Sequence, residues 1–83
     1  MTVDDRQLVQ RLFALATMIA ADAQEFAIRG QSSKLHFDGY IRSANDLRQA
    51  AAALVTITDA AIVALRQGRT ADARAAKRYR SSR

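Results

Sequence analysis

Few side chains in this sequence are suited to acid–base chemistry, and they gather around one predicted turn. The 83 residues include a single histidine, His36, and a single glutamate, Glu25. A turn between two helices would bring both towards Asp22 and Tyr40, and general acid–base catalysis depends on groups positioned in this way. Two packed helices, however, form little of the pocket that an active site needs. We therefore predict no catalytic residues, with His36 in the turn and Glu25 paired to Arg29 on the same helix.

Metal and cofactor sites are not expected either. The sequence has no cysteine, and one histidine is too few for the sites that histidine and cysteine build around zinc. It also has no glycine-rich phosphate loop and no histidine pair at metal-binding spacing. We predict no metal, no cofactor and no small-molecule substrate.

Positive charge is concentrated at the C-terminal end of the chain. Residues 1–65 contain six Lys or Arg and seven Asp or Glu, whereas residues 66–83 contain seven Lys or Arg and one Asp. The net charge of +5 therefore arises entirely after residue 65. An excess of one sign on one segment indicates an anionic partner.

Nucleic acid is the first candidate for that partner, because several Lys and Arg side chains can neutralise phosphates and Tyr79 among them can stack on a base. An acidic protein surface is the second candidate. A membrane surface fits less well, because interfacial helices carry Trp, Phe or Leu where this segment has alanine. The residues predicted to bind nucleic acid are Arg66, Arg69, Arg74, Lys77, Arg78, Tyr79, Arg80 and Arg83.

Helix 1 is predicted over residues 3–29. The chain lacks proline and is rich in alanine, which is the strongest helix former. Thr2 can act as N-cap, with Asp5 three residues later completing a capping box. Gly30 suits the position just after the helix, where a left-handed glycine commonly ends it.

Helix 2 is predicted over residues 38–67, with Asp38 as its N-cap, although Ser32 or Ser33 would cap an earlier start. Gly68 is the predicted stop, after which residues 69–83 form a short third helix or an extension. The alternative is one long helix that continues through Gly68 at a cost of about 1 kcal/mol.

Apolar residues recur on each helix at steps of three and four, which places them on one face. The row predicted on helix 2 to pack against helix 1 is Tyr40, Ala44, Leu47, Ala51, Leu54, Thr58, Ala61 and Leu65. The matching row on helix 1 is Leu8, Leu12, Leu15, Ile19, Ala23 and Phe26. The aromatic residues outside the basic segment are predicted to contribute to the core.

Helix 1 carries a second apolar row beside the first, and a hairpin needs only one to pack against its other helix. The unused row predicts a second copy of the chain, paired as a four-helix bundle. The residues predicted at that dimer interface are Val9, Phe13, Ala16, Ala20, Ala27, Ile41, Val55 and Ile62.

The predicted fold is thus an all-α antiparallel hairpin over residues 1–67, followed by a basic C-terminal segment over residues 68–83. The longest apolar run, residues 50–65, contains Thr56, Thr58 and Asp59 and is shorter than a membrane span of about 20 residues. The acidic start does not resemble a signal peptide. We therefore expect a non-enzymatic cytoplasmic protein that binds nucleic acid, or alternatively an adaptor or inhibitor that docks a helical face on a protein.

Overall fold

The protein consists of two antiparallel helices in the computed structural model, which describes residues 2–81, with side chains described for residues 2–77. α1 spans Val3–Arg29 and α2 spans Phe37–Ser81. The two helices pack against each other, and the described residues contain no strand. The prediction of an all-α helical hairpin is confirmed.

α1 begins at a complete capping box. The backbone N–H of Asp5 donates to the Thr2 hydroxyl at 3.1 Å, and the Thr2 N–H donates to the Asp5 carboxylate at 3.3 Å. These two bonds satisfy donors that the first turn of a helix otherwise leaves without partners. Asp4 and Asp5 also lie where the helix dipole favours negative charge. The predicted bounds of helix 1 are confirmed.

Gly30 ends α1 differently from the prediction. It has φ −67° and ψ −13°, which is right-handed rather than left-handed. The chain tightens into a turn in which the Gln31 N–H donates to the Ile28 carbonyl at 3.0 Å. A Cβ added at Gly30 would lie 3.7 Å from the Cβ of Ser43, so this residue marks the point where the connection runs alongside α2.

The first turn of α2 is hydrogen-bonded to the connection between the helices. The Tyr40 hydroxyl donates to the Ser32 carbonyl at 2.5 Å, and the Tyr40 N–H donates to the His36 carbonyl at 3.1 Å. α2 therefore starts at Phe37, and Asp38 lies in its first turn rather than capping it. This is a shift of one residue from the predicted start.

α2 does not stop at Gly68. It runs as one helix of 45 residues to Ser81, so the predicted end near residue 67 was wrong and the alternative of a single long helix holds. The chain has no proline to break the helix there, and one glycine in a helix interior costs only about 1 kcal/mol. Gly68 is itself buried.

The contact between the helices uses a row of α2 that is rotated from the predicted one. Leu47, Leu54 and Ala61 belong to both rows, but Ala44, Ala51, Thr58 and Leu65 are exposed. The residues one position earlier take their place, and the buried ones among these, Ser43 and Ala50, are small enough to let the two backbones approach closely. The residues of α2 that are buried or half-buried in this seam are Ser43, Leu47, Ala50, Leu54, Ile57, Ala61, Ala64 and Gly68.

α1 contributes residues from both of its predicted rows to this seam. Val9 is 8% exposed and is the most buried residue of α1, although it was predicted at a dimer interface. Leu8 and Leu15, which were predicted in the seam, are 49% and 41% exposed. The spacing of the sequence does not distinguish the two adjoining apolar rows of α1. The seam lies along the boundary between them and includes residues of both.

The hairpin has very little interior. Its surface is 7000 Å², whereas a compact folded monomer of this length exposes about 4,900 Å². It measures 72 × 16 × 13 Å, and no described side chain is fully buried. Phe13 and Phe37 are 59% and 77% exposed, so the prediction that these aromatic residues form core contacts was wrong.

Enlarging a buried alanine in the seam should destabilise the hairpin. We expect Ala61→Leu to lower the stability by about 1–3 kcal/mol, because the added atoms force apart two helices in close contact. Ala60→Leu, on the exposed neighbouring position, is the control with the same change in composition and little change in helix propensity. Thermal unfolding followed by circular dichroism measures both, and equal midpoints would contradict the observed seam.

Candidate nucleic-acid interface

The basic end of α2, residues 66–81, extends past the other helix. Gly30 lies beside Ser43, so antiparallel neighbours in the hairpin have residue numbers that add to about 73. Val3, the first residue of α1, is therefore level with residue 70 of α2. All residues from Ala71 to Lys77 are exposed. Residues 71–77 of α2 therefore stand clear of α1, whereas residues 66–70 lie beside its first turns.

The basic side chains of this end point away from α1. Gly68 is buried in the seam, and successive residues of a helix rotate by about 100°. Arg66 and Lys77 then lie about 160–180° around the helix from Gly68, and Arg69 and Arg74 lie about 100–120° from it on either side. Among the described residues, Arg66, Arg69 and Arg74 are exposed and form no ion pair.

Two of these arginines border a shallow depression on the surface of the helix. It has a volume of about 360 Å³ and is lined by Arg66, Gln67, Thr70, Ala71 and Arg74. Arg66, Thr70 and Arg74 follow each other at intervals of four residues, and the Thr70 hydroxyl donates to the Arg66 carbonyl at 2.9 Å. The Thr70 hydroxyl oxygen can still accept a hydrogen bond. Gln67 and Thr70 were missed by sequence reasoning, although their spacing from Arg66 is visible in the sequence.

The remaining predicted residues of the basic segment are described less fully. Arg78, Tyr79 and Arg80 belong to the last turns of α2, where only the backbone is described. Arg83 lies outside the described residues. α2 is nevertheless continuous to Ser81, so all of these positions up to residue 81 belong to one helix.

The residues considered for acid–base chemistry do not form one site in the structure. Glu25 pairs with Arg29 at 3.5 Å, as predicted, and His36 is exposed in the connection. The Tyr40 hydroxyl is bonded to the Ser32 carbonyl. No group of three or more His, Asp or Glu residues among the described residues could hold a metal ion.

A second surface is apolar and lies along one side of the hairpin; we call it the apolar face. Near the basic end it forms a groove of about 90 Å³, whose lining includes Phe13, Thr58, Ile62 and Leu65. Towards the connection it continues past Ala27 and Ala44, which line another depression. On the opposite side of the hairpin, Asp22, Asp46 and Gln49 are among the residues that line a depression of about 250 Å³.

The residues predicted at a dimer interface divide between the seam and the exterior. Val9 is buried within the chain, and Ala16 and Ala27 are half-buried. The other five are exposed, with Phe13 and Val55 the most exposed of the large side chains among them at 59% and 60%. The exposed members are Phe13, Ala20, Ile41, Val55 and Ile62.

α2 meets the length and composition of a membrane span, which the sequence interpretation did not anticipate. An 18-residue window within Phe37–Lys77 has a mean hydropathy of 1.4, and 11% of that window is buried in the hairpin. The longest apolar run of the sequence, residues 50–65, is shorter than this 18-residue window. Length and composition are weak grounds for insertion, because the run contains Asp59, and an aspartate at a bilayer centre costs about 2.5–3.5 kcal/mol.

Known proteins give no further guidance. No family model, no curated protein and no solved structure matches this chain significantly. The interpretation of the surface therefore depends on its physical properties alone.

The continuity of α2 can be tested at Gly68. We expect Gly68→Pro to disrupt the helix, because proline removes a backbone donor and costs about 3 kcal/mol or more in a helix interior. The circular dichroism signal at 222 nm should fall, as the residues beyond 68 lose helix. Gly68→Ala is the control and should keep full helicity. If the proline variant kept the parental signal, a helix end at Gly68 would be the better description.

Proposed function

We propose that this chain is a non-enzymatic accessory protein of the cytoplasm that binds nucleic acid through the basic end of α2 and pairs with a second copy as a four-helix bundle. The observation that carries the binding proposal is the continuation of α2 beyond α1. It holds cationic side chains in a fixed array that is turned away from α1 and extends beyond it.

Nucleic acid suits this surface better than an acidic protein does. Protein interfaces depend on side chains packed into desolvated pockets, and large aromatic residues dominate their energetics. Among the described side chains, residues 66–77 include no aromatic and no large aliphatic residue, and the one depression there is shallow. Binding to phosphates needs no such anchor, because it depends on charge and on the release of counterions.

The pairing with a second copy is supported by the surface of the hairpin. A single chain exposes about 2,100 Å² more than a compact monomer of its length. A typical stable interface buries about 800 Å² on each partner. The apolar face supplies surface of the right kind, since contiguous exposed apolar side chains mark interaction sites. The same face also supports the second candidate function, an adaptor or inhibitor that docks it on another protein.

Removing charge from the basic end should weaken binding to nucleic acid. We expect the double variant Arg74→Gln, Lys77→Gln to bind duplex DNA or RNA more weakly, and its slope of log K against log salt to decrease by about one for each lost phosphate contact. Fluorescence anisotropy at several salt concentrations measures both quantities.

The control for that experiment removes the same charge elsewhere. Arg11→Gln, Arg42→Gln leaves the basic end intact, and both positions are exposed. Its salt slope should equal that of the parent. Equal losses in the two double variants would mean that net charge, rather than the basic end, determines binding.

A charge on the apolar face should prevent pairing. We expect Ile62→Asp to produce a monomer at micromolar concentration, because an interface would have to bury an unpaired carboxylate. Val63→Asp is the matched control, since Val63 is also exposed but lies about 100° further around α2. Sedimentation equilibrium compares them with the parent, and a parent protein that is already monomeric would exclude the four-helix bundle and favour the adaptor.

A further inference from the structure

The apolar face is not uniform along its length. Towards the basic end it carries the bulky side chains of Phe13, Ile62 and Leu65, which are 59%, 40% and 39% exposed. Towards the connection it narrows to alanine, at Ala27 on α1 and Ala44 on α2. The face is therefore raised around Phe13 and Ile62 and low around Ala27 and Ala44. Beyond Ala44 it carries the aromatic side chains of Tyr40 and Phe37 at the start of α2.

This difference decides how two such faces fit. If two copies stack with their basic ends together, bulky side chains meet bulky ones and alanines meet across a gap. If one copy is reversed, each raised part meets a low one, and the faces can reach the density that protein interfaces share with interiors. Reversal also separates the two basic ends, which would otherwise repel each other.

One two-fold axis serves both helices in the reversed arrangement, because Phe13 is close to level with Ile62, and Ala27 with Ala44, in the hairpin. On α1, Phe13 and Ala27 are equally far from Ala20. On α2, Ile62 and Ala44 are equally far from residue 53. Since antiparallel neighbours in the hairpin add to about 73, residues 20 and 53 are level with each other. One axis therefore brings Phe13 onto Ala27 and Ile62 onto Ala44 of the second copy at once.

The same axis gives a partner to Phe37, the most exposed aromatic residue among the described side chains. Phe37 is 77% exposed and begins α2 at the end of the face towards the connection. In the reversed pair it is level with Arg69 of the second copy, which is exposed in each chain. A guanidinium over an aromatic ring is favourable by about 0.5–1 kcal/mol at an exposed site.

We infer that two copies of this chain pair in opposite directions through the apolar face, and that the ligand of the resulting dimer is a nucleic-acid duplex long enough to reach both basic ends. This rests on the proposed nucleic-acid binding. Arg74 lies 21 residues from the axis along a helix that rises 1.5 Å per residue, so the two basic ends are about 63 Å apart. At 3.4 Å per base pair, that distance corresponds to about 18–19 base pairs.

A duplex suits two rigid sites at a fixed distance better than a single strand does. Double-stranded nucleic acid is stiff over about 150 base pairs, so a duplex of the matching length presents phosphates at both ends without bending. Binding at the second end is then intramolecular, which multiplies the affinity. A duplex that is too short can occupy only one end.

The direction of pairing can be tested with introduced thiols, because the protein has no cysteine of its own. Ala44→Cys and Ile62→Cys, prepared separately and mixed under oxidation, should give a mixed disulfide, since the reversed pair sets these positions opposite each other. Each variant alone should cross-link far less. A mixed disulfide between Phe13→Cys and Ile62→Cys, with none between positions 44 and 62, would show the basic ends together and overturn the inference.

The length requirement is tested with duplexes of about 10–30 base pairs. We expect the affinity to rise at least ten-fold between about 14 and 22 base pairs, and the salt slope to double roughly as the second end engages. The Ile62→Asp monomer is the control and should show neither change.

The possible failures are distinguishable. A gradual rise in affinity with length, equal in parent and monomer, would overturn the two-ended duplex site while leaving nucleic-acid binding in place. Binding that is absent at every length would overturn the proposed function as well, whereas the disulfide experiment would still decide the direction of pairing.

Discussion

α1 and α2 approach each other along a row of small side chains, and the rest of the structure depends on that contact. Among the described side chains of α2, Ser43, Ala50, Ala61 and Gly68 are the most buried, and none of them is large. Small residues allow two backbones to lie close together, but they remove little apolar surface from water. The hairpin therefore joins its helices through a narrow seam and leaves many of its larger apolar side chains exposed.

Two different surfaces result from this arrangement. The apolar face borders the seam, and it carries side chains such as Phe13 and Ile62 that a larger protein would bury. The basic end extends from the last contacts with α1, at Gly68, to positions beyond it, so Arg74 is held by helical geometry and not by contacts with α1. The proposed pairing and the proposed binding thus use separate surfaces, and α2 contributes to both.

The sequence predicted the number, type and direction of the helices because those follow from local signals. The capping box at Thr2 and the lack of proline are of this kind. The choice of seam could not be predicted, because α2 carries two adjoining apolar rows with the same spacing and only the contact itself selects between them. Gly68 shows the same limitation: its cost to a helix is similar in size to the benefit of the alanines after it, so local propensity did not decide where α2 ends. For the basic end, the charges were evident from the sequence, whereas their direction relative to α1 required the position of Gly68 in the seam.

The register of the hairpin also determines the order in which the contacts between its helices form. Contacts near Gly30 and Ser43 close a loop of about a dozen residues, whereas those between the start of α1 and Gly68 enclose more than 60. Loop closure becomes more costly in entropy as the loop grows, so the hairpin closes first at the connection and last at the start of α1. Opening under native conditions proceeds in the reverse order, because helix ends with few buried contacts fray most easily. The basic end is therefore attached to the part of the hairpin that opens first. A ligand bound to the basic end acts next to the least stable contacts between α1 and α2.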